Sequence, residues 1–287
     1  MCLTLQIQNM SKLQDITVTL LEPLHPQPFK LLQEMYSVTW PSSPPLKDPQ
    51  EIVDRMLKGQ ALPVPLESLT IIFGVRGLSR VALAQITRGR VGWGFVAESQ
   101  MPEPVQHNVM VPSNIAEAFP DDVAQLLEAS QRLYDKAIAS GIPPQDARYL
   151  LLHGQTTSVV CSTNYLALRN FCSMRLENGL CDELNYITRL LLAEMRKAGP
   201  EWSYLVGFLD AKGGANYCYN TDDVFGNTGR AKSAPGVPTK VRYDFTKSWW
   251  YRELQALPPE LLLPGESEMI ADWQTIGFQG RLAKLAN

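Results

Sequence analysis

Apolar positions recur at helical spacing in several parts of the chain. Asp48-Pro49 pairs an N-cap residue with a first-turn proline, and Ile52, Val53, Met56 and Leu57 then form a stripe that stops at Gly59. Pro28 to Tyr36 reads as a short helix behind a proline start. Asp121 to Ser140 is the clearest helix, with Val123, Leu126, Leu127, Leu133, Tyr134, Ala137 and Ile138 on one face and Gly141 after it, a pattern expected of core scaffold. Asn164 to Leu176 and Asp182 to Ala198 continue the helical pattern, the second ended by Gly199-Pro200. Ala147 to Leu152 fits either a strand or a helical turn. Two stretches read as strands: the alternating Asp15 to Leu20, and the β-branched run Leu69 to Val75, after which Ser79 is placed to cap a helix through Arg80, Ala84, Gln85 and Arg88.

Between these elements, Trp40 to Lys47 reads as a proline-rich loop. After Gly213 the character changes. Asn220 to Gly229 and the prolines at 235, 238, 258, 259 and 264 mark a loop-rich tail, yet Trp249, Trp250, Tyr251, Leu254 and Trp273 make it too apolar for simple disorder. We therefore expect a main domain over 1–212 and an extension over 213–287 that packs on it or on a neighbouring subunit.

The 287 residues carry 26 Lys+Arg against 29 Asp+Glu, a net charge of −3, with 45% hydrophobic residues. That balance describes a globular chain with a sizeable core and excludes a general duplex-phosphate binder, so no direct nucleic-acid binding is expected. No apolar run approaches the ~20 residues that cross a bilayer, and Met1 to Gln14 lacks a charged segment leading into an apolar signal core, so no membrane association and a cytoplasmic location are expected. Cys2, Cys161, Cys172, Cys181 and Cys218 form no C-x-x-C pair, and the only histidines are His25, His107 and His153. No metal site is expected, and chemistry must lean on Arg, Glu, Asn, Ser or a cofactor.

Two constellations supply such groups. The first is Ser79-Arg80, Gln85 and Arg88-Gly89-Arg90, followed by Gly92-Trp93-Gly94 and Glu98-Ser99-Gln100. Arginine forks bind phosphate, and a helix end opening into a glycine loop lets main-chain amides reach an anion; on spacing alone the commoner role of such arginines is to complement the helix end or pair at the surface. The second runs Ala147-Arg148-Tyr149, His153, Asn164, Asn170-Phe171 and Arg175. An arginine on the mostly apolar face of Asn164, Leu168 and Phe171 needs a partner if buried, and an ion pair from Arg175 to Glu183 is one reading.

Together these motifs resemble the flavin-dependent thymidylate synthases. Members carry a Ser-Arg-x4-Gln helix with an Arg-His-Arg run, an Ala-Arg-x-Val-Leu-Pro stretch, a Thr-x-Asn segment and a later Asn-Phe-x-x-x-Arg. Here stand Ser79-Arg80 with Gln85 and Arg88-Gly89-Arg90, Ala147 to Leu152, Ser162-Thr163-Asn164, and Asn170-Phe171 with Arg175. The resemblance implies an α/β (α+β) fold with helices around a small sheet, in a homotetramer that binds FAD and dUMP where subunits meet. It implies C5 methylation of dUMP to dTMP, with methylene-tetrahydrofolate as one-carbon donor and NADPH as reductant. Carried over by position, Gln85, Arg88, Ser99, Gln100, Arg148 and Arg175 contact the nucleotide, Arg175 serving catalysis. Arg88, Gly89, Arg90, Asn164 and Asn170 contact the cofactor, and Glu183 orients an arginine.

The chain departs from the family pattern in the same region. Gly89 replaces the middle histidine, Met101-Pro102 stands where Arg-Tyr is usual, Leu166 replaces an arginine, and Val64 to Ser68 replaces a histidine-containing stretch. These departures keep two alternatives open: a different C5 modification such as hydroxymethylation, and a non-catalytic nucleotide-binding paralogue.

Overall fold

The structure is a computed structural model that describes residues 10–39, 48–101, 107–176, 182–210 and 245–286. The Trp40 to Lys47 loop, the Asn220 to Gly229 segment, Pro235, Pro238 and the expected 212/213 boundary lie outside them.

The centre is a four-stranded antiparallel sheet in the order β2 (Thr17–Leu20), β3 (Thr70–Ser79), β6 (Thr156–Asn164), β4 (Trp93–Ala97). A separate two-stranded parallel pair joins β1 (Met10–Ser11) to β5 (Val109–Met110). One face of the large sheet is apolar and buried, through Val18, Ile71, Phe73, Val75, Val159 and Cys161. The other carries Val96 and Val160, both exposed, as expected of an antiparallel sheet covered on one side.

Around it stand α1 (Pro28–Thr39), α2 (Pro49–Leu57), α3 (Arg80–Ile86), α4 (Ser113–Ala118), α5 (Pro120–Ala139), α6 (Pro144–Ala147), α7 (Tyr165–Arg175), α8 (Asp182–Arg196), α9 (Pro200–Asp210), α10 (Trp249–Gln255) and α11 (Glu266–Ala286). The fold is thus the expected mixture of helices around a small sheet. In α2, Asp48 accepts from the Gln50 N–H, and the stripe Ile52, Val53, Met56 and Leu57 is wholly buried.

Several elements differ from their expected form. β3 runs four residues beyond Val75, because a bulge between Arg76 and Leu78, with Gly77 at φ +79°, lets pairing with β6 resume at Leu78 and Ser79. β6 itself is a central strand that the pattern of polar residues hides: Thr157, Val159, Cys161 and Thr163 alternate inward, and two of those four are threonines. The Ala147 to Leu152 alternatives resolve to helix, the end of α6 and a 3-10 turn over Arg148–Leu150. The expected core role of α5 is also corrected. Tyr134 and Ala137 pack with Ala147 in a small cluster apart from the main core, while Leu126 and Leu133 are half exposed.

The C-terminal residues join the main core through α8. Arg189, 1% exposed, donates from Nη1 and Nη2 to the two carboxylate oxygens of Glu266 at 2.6 and 2.8 Å. It also binds Asn185 and the Leu261 carbonyl and lies 5.4 Å from the ring centre of Trp250. Such a buried pair costs solvation, so its main effect is to fix how α10 and α11 sit on α8.

Candidate functional site

The site region begins at the end of β3. The bulge turns Ser79 inward, where its hydroxyl accepts the Ala82 N–H at 3.1 Å and caps α3. Its N–H and hydroxyl donate to the two oxygens of Glu183 in α8, at 2.6 and 2.5 Å. Glu183 therefore positions Ser79 and α3, and the expected role as partner of Arg175 is corrected: both oxygens already serve Ser79. Burial pushes its carboxyl above the ordinary value, against the pull of those two hydrogen bonds.

After α3 the chain runs through Arg88-Gly89-Arg90-Val91 to Gly92, at φ +73°, and enters β4. Gly92 is required there: a Cβ would stand 2.7 Å from that of Ala167 and 3.2 Å from Nδ2 of Asn164. Its carbonyl accepts from the Thr163 hydroxyl at 2.9 Å, which fastens the loop onto the junction of β6 and α7. Asn164 caps α7 by accepting the Ala167 N–H at 2.9 Å.

A cleft of about 430 Å³ opens between this loop and α7. Arg88, Gly89, Arg90, Asn164 and Asn170 all line it, and Trp93 and Phe171 form an aromatic wall. The five residues expected at a cofactor thus meet, although the loop and the helix are far apart in sequence. Leu166, where the family pattern has an arginine, lines the same cleft.

A second cleft, of about 420 Å³, is lined by Arg80, Gln100, Arg148, Tyr149 and His153 with Leu151 and Leu152. Arg80 donates to the Glu98 carbonyl at 3.1 Å and Arg148 to that of Gln145 at 3.0 Å. Burial lowers the Arg80 pKa, with Glu98 opposing and the positive charge of Arg148 adding to the lowering, so the two guanidinia stand close enough to feel one another. The buried Nε of Arg80 has no hydrogen-bond partner among the described residues. An anion between them would satisfy both cations.

The remaining expected residues line neither cleft. Ser99 is exposed, its hydroxyl accepting the Met101 N–H. Arg175 lies 5.8 Å from the ring centre of Phe171 and reaches the Gln85 carbonyl at 3.5 Å, which brings Arg175 and Gln85 together between α7 and α3. Sequence reasoning named Trp93, Arg80, Tyr149 and His153 within the two constellations but gave none of them a contact role, although Arg80 belongs to the Ser-Arg motif itself. Cys161 and Cys172 are buried free thiols, the first pushed up to about 12 and the second also raised by burial, which suits packing and not nucleophilic chemistry. Cys2, Cys181 and Cys218 lie outside the described residues. Among the described residues no cluster of His, Cys, Asp and Glu could hold a metal ion, and no helix is long and apolar enough to cross a membrane.

One family matches this chain over most of its main domain. The sequence model described as "Thymidylate synthase complementing protein" fits residues 21–201, and the chain belongs to that family. Among curated relatives, it is 28% identical over 144 residues to a flavin-dependent thymidylate synthase of Sulfurisphaera tokodaii, covering 50% of this chain and 56% of that protein. It is 30% identical over 140 residues to one of Thermococcus kodakarensis, covering 46% and 56%. The match therefore spans little more than half the length of these relatives.

Solved structures share the fold. A UMP/dUMP methylase PolB from Streptomyces cacaoi, bound with 5-Br dUMP, superposes with a TM-score of 0.59 at 16% identity, over 69% of this chain and 96% of that one. Thymidylate Synthase X (ThyX) from Helicobacter pylori with FAD and dUMP gives 0.51 at 19%, over 67% and 97%.

Proposed function

We propose that the chain catalyses flavin-dependent C5 methylation of a pyrimidine nucleotide, dUMP to dTMP by default, with methylene-tetrahydrofolate as one-carbon donor and NADPH as reductant. The observation that carries this reading is the gathering of Arg88, Gly89, Arg90, Asn164 and Asn170 in one cleft. Its chemistry fits FAD: two guanidinia suit a pyrophosphate, side-chain amides suit the polar edge of a ring, and Trp93 and Phe171 offer an apolar wall. When bound, the flavin would supply the hydride.

The chain's own residues then have distinct tasks. Arg88 and Arg90 hold phosphate, and Asn164 and Asn170 orient the cofactor. Arg148 and Gln100, with Arg80, hold the nucleotide phosphate in the second cleft, with Gln85 and Ser99 completing the nucleotide contacts. Uracil C5 is a poor nucleophile, and the guanidinium of Arg175 against the pyrimidine would stabilise negative charge developing on the ring as C5 attacks. The two clefts share no lining residue within one protomer, and in the homotetramer that the family resemblance implies the flavin cleft of one copy would meet the nucleotide cleft of another. The likeness to a UMP/dUMP methylase and to a dUMP-bound ThyX supports a pyrimidine nucleotide as substrate.

A second reading, a different C5 product such as hydroxymethyl, is favoured by the rebuilt loop, where Trp93 covers Gly89. Incubation with dUMP or UMP, methylene-tetrahydrofolate, FAD and NADPH, followed by mass spectrometry, separates the readings. A methyl product supports the first and a hydroxymethyl product the second. No product from a protein that binds nucleotide without flavin would leave a non-catalytic nucleotide-binding role.

A further inference from the structure

The space beside Gly89 is filled from within the chain. A Cβ at Gly89 would stand 3.3 to 3.5 Å from Cδ1, Nε1 and Cγ of Trp93, so the indole already occupies the side on which a side chain would project. Trp93 is held there by other rings. Phe73 meets it edge-on at 6.3 Å between centroids, Phe95 lies nearly parallel at 5.7 Å, and Phe171 is tilted at 4.9 Å. Trp93 is nevertheless only part-buried, and it lines the cleft that holds Arg88 and Arg90. Phe73, by contrast, is 1% exposed and belongs to the core.

An aromatic residue immobilised by its neighbours loses little further freedom when a ligand settles against it. Its surface suits a flat π-system in offset or edge-to-face contact, and the adjoining arginines suit phosphate. A ligand that satisfies both joins a planar heteroaromatic ring to phosphate. We propose that Trp93 is a ligand-contact residue of this cleft, taking the planar ring of the phosphate-bearing cofactor against its indole, and that Gly89 is small because that indole needs the room. The inference rests on the flavin reading above and adds to it a residue outside the motifs that carry the family resemblance. Residue 89 and residue 93 are then coupled: a side chain at 89 starts in tight contact with the indole and, if it is large, must push it aside.

The test is equilibrium titration of the full-length protein with FAD, read from the visible flavin band and from tryptophan emission. Trp93→Ala should weaken FAD by about tenfold or more, and Trp93→Phe, which keeps an aromatic ring and preserves packing, by less. Gly89→His should weaken binding by displacing the indole, and the double variant Gly89→His/Trp93→Ala should bind better than Gly89→His alone, the coupling expected of two residues that compete for one space. Far-UV circular dichroism confirms that each variant is folded. Titrations with FMN and with ADP identify the ring: dependence on Trp93 for FMN assigns the isoalloxazine, dependence for ADP the adenine, and either result supports the proposal. Wild-type protein that binds FAD while Trp93→Ala and Trp93→Phe bind it equally overturns the role of Trp93 and leaves the flavin reading intact. Wild-type protein that binds no FAD overturns both.

Discussion

The carboxylate of Glu183 accepts both the N–H and the hydroxyl of Ser79, at 2.6 and 2.5 Å, across the junction of β3 and α3. Ser79 in turn caps α3, the short helix that leads into the Arg88 loop, so the position of the first cleft depends on a contact with α8. Ser79→Ala removes the cap and leaves one buried carboxylate oxygen without its donor. We expect a loss of about 2–4 kcal/mol in urea unfolding. Glu183→Gln keeps an acceptor for the N–H and should cost less. An unchanged midpoint in Ser79→Ala would contradict this account of how α3 is held.

The neighbouring carboxyl, Asp182, sets a pH dependence. Burial pushes it up to about 7, with a hydrogen bond from the Trp250 main chain pulling the other way. In the unfolded chain the group releases its proton near pH ~4. The folded chain therefore holds a proton that the unfolded chain has lost, and the stability this brings is full below about pH 4 and lost as pH rises through 7. Asp210 and Glu183 are also raised by burial and act in the same sense. Asp182→Asn, which stays neutral, should match the wild type in acid and exceed it in stability at pH 8. Thermal unfolding across pH 5–8 checks this, and parallel curves for the two proteins would contradict it.

The Arg189–Glu266 pair predicts strong non-additivity. Arg189→Met leaves the fully buried Glu266 carboxylate with the Leu263 N–H at 2.8 Å but without its cation, a loss of about 3–5 kcal/mol. Replacing both, in Arg189→Met/Glu266→Leu, should cost much less than the sum of the single changes. Additive losses in urea unfolding would show that the pair does not work as a unit.

At the reacting ring, Arg175→Ala should reduce product formation by about 100-fold or more, because its proposed role is electrostatic. Light scattering should show unchanged assembly. Near-normal turnover would refute the assignment.

How far these features were legible in the chain depends on how local their causes are. The second helix, α2, is visible because cap, proline and apolar stripe lie within ten residues. The central strand β6 is not, since its threonines are polar and its burial comes from pairing with β3 at distant positions. Periodicity in α5 marks an amphipathic helix, but which neighbours cover it is a tertiary matter, and Leu126 and Leu133 remain half exposed. The residues of the first cleft were legible through family resemblance, whereas spacing alone left their arginines ambiguous. Glu183 looked like a partner for Arg175 because both follow one another in the chain. Its true partner, Ser79, reaches it only through the bulge at Gly77. Trp93 was named only as part of the glycine loop, for a similar reason: its place over Gly89 goes with the left-handed turn at Gly92, a geometry that composition does not reveal.

The central claim, a flavin held in the Arg88 cleft beside a pyrimidine nucleotide, is tested most directly by the visible absorption spectrum of the purified protein before and after addition of FAD and then dUMP. The account predicts bound flavin bands that shift or lose intensity when dUMP is added. A protein that acquires no flavin under any loading condition would contradict it.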